Sequence, residues 1–128
     1  MQKFKYISNA TEICQNLKKE SDLFCIRLIK NKTPNESDFI PAYYLKQKNE
    51  CLAKGLSLFE DIKDIETMFE LMPNLKKKYK SMYKAKIKEE DGCLYSSPAY
   101  KKPSHKTFYA FKDCDELEIF TEEINYEF

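Results

Sequence analysis

Arg27 is the only arginine among the 22 basic residues of this 128-residue chain, and it lies in an apolar run over residues 23–29. In a chain so rich in lysine, lysine would serve wherever positive charge alone is needed. The arginine therefore indicates a need for the planar guanidinium group, which binds a carboxylate or a phosphate through two parallel hydrogen bonds. Two interpretations stay open: Arg27 binds an anionic ligand, or it forms a structural ion pair with one of the 21 acidic residues.

His105 is the only histidine of the chain, and Gly55 is one of its two glycines. An imidazole titrates near neutral pH and can act as a general acid or base; the commoner alternative is a hydrogen-bonded histidine at the edge of a loop. Gly55 predicts a close backbone approach or a positive φ before a strand. Two glycines are too few for the P-loop and dinucleotide-binding motifs. Ser57 does not lie in the G-x-S-x-G turn of serine hydrolases.

The cysteines predict a reduced protein with no metal site. They are five, an odd number, and none belongs to a C-x-x-C pair: Cys14, Cys25, Cys51, Cys93 and Cys114. Structural zinc sites bring their ligands in close pairs. We therefore expect five free thiols. No apolar segment approaches the roughly 20 residues of a membrane helix, and the N-terminus is too polar for a secretory signal. A cytoplasmic protein without membrane contact is expected.

Apolar periodicity and turn signals predict the elements that position these residues. Strands are expected over residues 23–29, 55–59, 79–88, 105–111 and 124–128. Helices are expected over residues 9–19 and from Asp61 to Pro73. A capping box at Thr33 and Glu36 opens a short helix up to Pro41, and a second helical stretch continues to about Lys48. A capped helical turn is expected within residues 113–120. These elements predict one α+β domain over residues 1–128, with helices packed on one face of a twisted, mainly antiparallel sheet. Residues 1–20 would be a helical addition to a core of residues 23–128.

Charge is distributed unevenly along the chain. Residues 76–112 carry 11 lysines and three acidic residues, a net charge of +8, whereas residues 113–128 carry seven acidic residues and no basic one. A basic segment can bind nucleic acid. Tyr79 and Tyr83 fall on the strand face opposite Lys80 and Lys84, so they are not placed as stacking platforms between the lysines. We therefore favour pairing of the basic segment with the acidic tail over nucleic-acid binding.

Four segments in the same order resemble a group of small, uncharacterised bacterial proteins. They are Arg27-Leu-Ile29, Pro34 with Asp38-Phe39, Gly55-Leu-Ser-Leu-Phe59 and His105-Lys-Thr-Phe-Tyr109. In those proteins a strand with arginine precedes a P-x-x-x-D-F segment, a G-L-S-[VL]-[FY] strand and an H-x-T-aromatic strand. The order is also similar to that of compact ADP-ribosyltransferase-like domains, including RES-type toxins that degrade NAD.

The resemblance implies an ADP-ribosyltransferase-like fold and specific roles for several residues. Arg27 would contact the ribose or the phosphates of NAD, and Ser57 would support the nicotinamide side. Glu118 would be the acid that stabilises the oxocarbenium-like ribose. With the residues singled out above, the candidate ligand-binding residues are Arg27, Gly55, Ser57 and Tyr109, and the candidate catalytic residues are Glu118 and His105.

Three functions are carried forward. The first is a small bacterial binding protein on an ADP-ribosyltransferase-like scaffold, which recognises a nucleotide-like ligand or a protein partner in a toxin–antitoxin or defence system. The alternative is an NAD-consuming glycohydrolase or ADP-ribosyltransferase-like enzyme, with NAD as its substrate; no cofactor is assigned. The third is a nucleic-acid-associated protein. The oligomeric state is left open.

Overall fold

The protein is built on one antiparallel sheet. A computed structural model describes residues 3–46 and 50–128, and the following bounds hold for those ranges. The strands are β1 (Lys18–Glu20), β2 (Leu23–Ile29), β3 (Leu56–Phe59), β4 (Ser81–Ile87), β5 (Gly92–Ser96), β6 (His105–Ala110) and β7 (Glu122–Glu123). The α-helices are α1 (Ala42–Lys46), α2 (Ile62–Leu71), α3 (Pro73–Lys76) and α4 (Glu116–Ile119), with short 3-10 helices at Ala10–Glu12, Glu36–Phe39 and Leu52–Lys54. The strand order is β1-β5-β6-β3-β2-β4-β7, and the predicted α+β class with an antiparallel sheet is confirmed.

The boundaries of α2 follow from its local sequence. The Asp61 side chain accepts a hydrogen bond from the Lys63 N–H at 2.9 Å and caps the first turn. Ile65 and Phe69 follow at helical spacing and are buried. The helix ends before Pro73, which begins α3 at a position where no N–H is needed. Both the cap and the end agree with the sequence prediction.

Alternate residues of β2 pack into separate cores on the two faces of the sheet. Cys25 and Ile29 pack with Phe39 and Phe120, which come from the segments around two short helices. On the other face, Ile26 packs with the apolar side of α2. The prediction that helices pack on one face only is wrong, because β2 is apolar on both faces and each face needs a covering layer.

The N-terminal helix predicted over residues 9–19 is wrong. A single turn of 3-10 helix forms at Ala10–Glu12, and β1 then pairs with β5 at the edge of the sheet. Asn16 has a φ of 65°, a left-handed conformation that a right-handed helix does not contain. Ile13 joins a small core that includes Tyr109. The apolar spacing that suggested a helix serves this packing instead.

The helix that follows β2 begins two residues later than predicted. Asn35 caps it rather than Thr33, and Asn35 and Asp38 exchange the two hydrogen bonds of a capping box. α1 occupies the next stretch that was predicted to be helical. Residues 47–49 at the end of that stretch lie outside the described ranges.

The C-terminal strand predicted over residues 124–128 is also wrong. The strand in this region is β7, which pairs with β4, while Ile124 and Tyr126 pack against the core beneath α2. The Glu122 carboxylate lies 3.0 Å from Lys84 Nζ. The acidic tail therefore contacts the basic segment, as the charge distribution predicted.

Cys14 and Cys51 form a disulfide, so the prediction of five free thiols is wrong. Their Cα atoms are 5.2 Å apart, within the range that a disulfide spans, although their sequence separation is 37. The Tyr109 hydroxyl donates a hydrogen bond to the Cys51 carbonyl at 2.8 Å and ties this region to β6. Sequence spacing does not reveal such a pair, because the sheet brings the two segments together. The free cysteines are Cys25, Cys93 and Cys114.

β2 pairs unequally with its two neighbours in the sheet. Its register with β4 extends over all seven residues, whereas its pairing with β3 is confined to Ile26 and Phe59. β3 instead pairs along its length with β6. A Cβ at Gly55, just before β3, would lie 2.6 Å from Thr107 Cγ2 and 3.1 Å from the Phe108 carbonyl. Gly55 thus permits the close backbone approach predicted for it, and β3 follows β6 rather than β2.

Candidate anion-binding cleft

A cleft opens where β2 and β3 separate, and its volume is about 170 Å³. The β2 side contributes Arg27, Leu28 and Lys30, and the β3 side contributes Gly55 and Ser57. The remaining wall is formed by Ser37, Asp38, Ile40, Pro41, Ala42, Ala53 and Tyr79. Three of the predicted ligand-binding residues therefore line one cleft.

Arg27 bridges the gap between the two strands. Its Nε and Nη2 donate hydrogen bonds to the Asp38 carbonyl at 3.0 and 2.8 Å, and its Nη1 donates to the Ser57 carbonyl at 2.9 Å. The guanidinium thereby replaces part of the backbone pairing that β2 and β3 lack. The structural ion pair considered for Arg27 is not among the salt bridges of the described residues. Its partners here are backbone carbonyls.

The guanidinium of Arg27 keeps N–H donors that can bind a ligand. A guanidinium has five N–H donors, and the two carbonyls take three of them. Burial lowers the pKa of Arg27, but an arginine stays charged at neutral pH. Lys30 brings a second positive charge to the same cleft. Against the one negative charge of Asp38, these two cations leave the lining of the cleft with a net charge of +1, which favours an anion.

Asp38 is the acidic residue of the cleft, and its carboxylate already has partners. Oδ1 accepts a hydrogen bond from the Lys30 N–H at 2.9 Å. Oδ2 accepts from the Asn35 N–H and from the Asn31 side chain, both at 3.0 Å. These bonds fold the loop that carries the Asp38 carbonyl to Arg27. Asp38 therefore organises the cleft and is poorly placed to act as a base.

Hydroxyl groups complete the polar lining of the cleft. Ser37, Ser57 and Tyr79 lie on its walls. The Ser37 hydroxyl donates to the Asn35 side chain, whereas the hydroxyls of Ser57 and Tyr79 can each donate a hydrogen bond to an oxygen of an anion. The two cations, Arg27 and Lys30, and the hydroxyls of Ser57 and Tyr79 suit the binding of a phosphate or carboxylate group. Among the described residues that line the cleft there is no histidine or cysteine that would form a nucleophile–base pair.

His105 does not line the cleft; it lies in a hydrogen-bond network with Ser97 and Thr107. Its Nδ1 is 3.0 Å from the Ser97 carbonyl and 2.9 Å from Ser97 Oγ. Nδ1 donates to the Ser97 carbonyl in the tautomer that carries its proton there, and accepts from the Ser97 hydroxyl in the other tautomer. Ser97 Oγ also lies 2.8 Å from Thr107 Oγ1. This is the geometry of a hydrogen-bonded structural histidine, and a catalytic role for His105 stays a prediction.

The stability of the fold is expected to fall as the pH falls through the titration of His105. Burial lowers the pKa of His105 below its ordinary value of 6.5, so the unfolded chain binds the proton at a higher pH than the native state does. The stabilisation that comes from a neutral His105 is complete above the pKa of this residue in the unfolded chain, and it is lost as the pH falls through its pKa in the folded protein. Melting temperatures between about pH 7.5 and pH 5 should fall more steeply for the wild type than for His105→Asn. Equal slopes would contradict this.

Tyr109 and Glu118 do not line the cleft either. Tyr109 is buried, and its hydroxyl lies 3.8 Å from Cys14 Sγ in addition to its bond with the Cys51 carbonyl. This side chain anchors the disulfide region. Glu118 is exposed on α4. Ligand binding by Tyr109 and catalysis by Glu118 stay predictions.

Four polar residues of the cleft were not predicted as site residues: Lys30, Ser37, Asp38 and Tyr79. Asp38 belonged to the Asp-Phe segment of the resemblance, which was the available signal for it. Lys30 directly follows the apolar run of β2, where a strand end meets a loop, and such positions often carry function. Tyr79 falls on the strand face opposite Lys80, which favoured core packing, and it does pack against the core near Phe69. The folded chain also places it on the cleft wall, which the sequence does not show.

No family model, curated protein or solved structure matches this chain significantly. Within residues 3–46 and 50–128, no group of three or more His, Cys, Asp and Glu side chains is placed to hold a metal ion. None of the helices in these ranges has the length and apolar character needed to cross a membrane. The function is therefore inferred from the geometry and chemistry of the cleft.

Proposed function

We propose that the protein binds the anionic group of a nucleotide-like small molecule in the cleft between β2 and β3. The observation that carries the proposal is the half-buried guanidinium of Arg27, which is held by carbonyls rather than by a carboxylate and has N–H donors to spare. Charges interact more strongly where the surroundings are less polarisable than water. A phosphate group would accept hydrogen bonds from the remaining N–H groups of Arg27 and would also reach Lys30.

The size of the cleft limits how much of a ligand it encloses. Its volume of about 170 Å³ is below the roughly 300–1,000 Å³ of pockets that bury a drug-sized ligand. We infer that the phosphate and adjoining atoms enter, while the rest of the ligand lies over the rim. The resemblance to ADP-ribosyltransferase-like domains supplies the ligand class, and ADP-ribose, NAD and AMP are the natural probes.

A binding role is better supported than NAD hydrolysis. The acid that would stabilise the oxocarbenium-like ribose should face the bound ligand. Glu118, the residue that the resemblance suggests, does not line the cleft, and the carboxylate of Asp38 is occupied by three hydrogen bonds. NAD consumption by the wild type that Glu118→Gln abolishes would overturn this preference.

The test replaces a cleft cation whose side chain is not part of the scaffold. Lys30→Ala should weaken the binding of ADP-ribose or AMP about tenfold or more, because a hydrogen bond to a charged group contributes roughly 1.5–3 kcal/mol. Lys32→Ala is the matched control, since Lys32 is exposed two residues away and does not line the cleft. Isothermal titration calorimetry measures both affinities.

Inorganic phosphate is a further probe in the same experiment. It should bind more weakly than AMP and should compete with AMP for one site. If none of the probes binds, or if Lys30→Ala and Lys32→Ala lower the affinity equally, the cleft is not the site and the proposal fails.

A further inference from the structure

A second surface feature, independent of the cleft and of its proposed ligand, is an apolar groove between α2 and the loop of residues 97–104. Its volume is about 290 Å³. α2 and the residue after it contribute Met68, Leu71 and Met72, and the loop contributes Ala99, Tyr100, Lys101 and Lys102. We call this feature the α2 groove.

The α2 groove concentrates large apolar side chains that are exposed to solvent. Leu71 and Met72 each expose 54% of their surface, and Tyr100 exposes 80%. Single exposed apolar side chains are common on protein surfaces, whereas a contiguous group of them marks an interaction site. Met72 adds an unbranched, adaptable side chain that fits partners of different shape.

The loop side of the groove is a two-residue turn closed by backbone hydrogen bonds. Ala99 and Lys102 exchange two backbone hydrogen bonds of 3.1 and 2.9 Å, and Tyr100 and Lys101 form the tip between them. Lys101 has a φ of 56°, a left-handed conformation that is uncommon for a residue with a side chain. The turn therefore holds Tyr100 in solvent by a defined backbone geometry.

The base of the loop is attached to the first turn of α2. The Ser104 N–H donates a hydrogen bond to the Asp64 carboxylate at 2.7 Å, and Ser104 Oγ accepts one from the Asp61 N–H at 3.0 Å. Both walls of the groove thus belong to one fixed unit. A preformed site avoids part of the entropic cost of ordering on binding.

We propose that the α2 groove binds an acidic peptide segment of a protein partner, with apolar side chains of that segment seated between Leu71, Met72 and Tyr100. The positive charge of the groove selects the acidic partner. Lys101 and Lys102 lie on its rim, and the described residues that line it include no acidic one. Opposite charge guides association, and buried apolar anchors supply most of the affinity.

The walls of the groove favour a peptide over a nucleic acid. Nucleic-acid bases bind by stacking on several aromatic rings along a basic track. Tyr100 is the single aromatic side chain among the described lining residues, and the helix side is aliphatic and thioether surface. Leucine or phenylalanine side chains of a peptide are complementary to such a surface.

The test is a selection of short random peptides on the purified full-length protein. The enriched peptides should combine Asp or Glu with large apolar residues. Tyr100→Ala and the double change Lys101→Glu with Lys102→Glu should each weaken a selected peptide at least tenfold by fluorescence anisotropy. Tyr100 is exposed at a turn tip, so its truncation should leave the melting temperature nearly unchanged.

Two controls make the outcome decisive. Leu117→Ala truncates an exposed apolar residue outside the groove and should not affect peptide binding. Lys30→Ala tests whether the peptides occupy the β2–β3 cleft instead. Enrichment of peptides without acidic residues, or equal binding to wild type and Tyr100→Ala, would overturn the proposal. Binding of single-stranded RNA or anionic lipid vesicles that Tyr100→Ala abolishes, without any selected peptide, would also overturn it.

Discussion

Replacing Cys14 and Cys51 together by serine will lower the free energy of unfolding by about 4 kcal/mol. A crosslink between residues with a sequence separation of 37 restricts the unfolded chain, and loop-closure entropy for that length accounts for about this amount. Small domains have a total stability of roughly 5–15 kcal/mol. The loss should therefore move the urea midpoint far toward lower denaturant.

The thiol count checks the same prediction by a different route. The denatured, unreduced wild type should expose three reactive thiols, those of Cys25, Cys93 and Cys114. Cys114→Ser is the control for the serine substitution, since Cys114 is half-buried and unbonded, and it should cost much less. Five thiols, or a double variant as stable as the wild type, would contradict the disulfide. A disulfide is also uncommon in reducing compartments, so the cysteine argument for such a compartment no longer holds.

Arg27→Lys will destabilise the fold by roughly 2–4 kcal/mol, although it keeps the charge. The guanidinium satisfies the carbonyls of Asp38 and Ser57 with one planar group. The compact ammonium of lysine lacks that fork, so at least one carbonyl loses its partner between β2 and β3. The melting temperature should fall by roughly 10 °C.

The comparison with Arg27→Met separates geometry from charge. If hydrogen-bond geometry dominates, Arg27→Lys should cost nearly as much as Arg27→Met. Lys78→Met changes an exposed basic residue outside the cleft and should leave the melting temperature within about 2 °C of the wild type. A wild-type melting temperature for Arg27→Lys would show that Arg27 does not hold the two strands together.

The elements with strong local signals were predicted correctly from sequence. The apolar run of β2, the capped periodicity of α2 and the alternation of β6 each determine their own structure with little help from distant residues. β5 was missed because the run Gly-Cys-Leu-Tyr-Ser is too short to show alternation; its pairing with β1 and β6 makes it a strand. The failed helix over residues 9–19 has the same cause, since packing against β6 outweighed a weak helical pattern.

The candidate site was predictable only in part. Arginine and glycine are rare in this chain, which indicated a need for a planar guanidinium at Arg27 and for a close backbone approach at Gly55. Both residues line the cleft. The hydrogen-bond partners of Arg27 were not predictable, because every residue has a backbone carbonyl and the sequence does not show which carbonyls a side chain will reach. The disulfide was not predicted for a similar reason, because the spacing of Cys14 and Cys51 in the sequence does not show that the fold brings them together. His105 is equally rare, but its hydrogen bonds with Ser97 account for it without a ligand.

The most direct measurement of ligand binding in the cleft is an amide chemical-shift titration of the labelled protein with ADP-ribose. Saturable shifts should concentrate on the amides of Lys30, Ser37, Asp38 and Ser57, and Lys30→Ala should move the midpoint to at least tenfold higher ligand concentration. The amides of Tyr100 and Lys101 in the α2 groove should stay unchanged. Absence of shifts with ADP-ribose, or shifts centred outside the β2–β3 cleft, would contradict the assignment of the cleft as an anion-binding site.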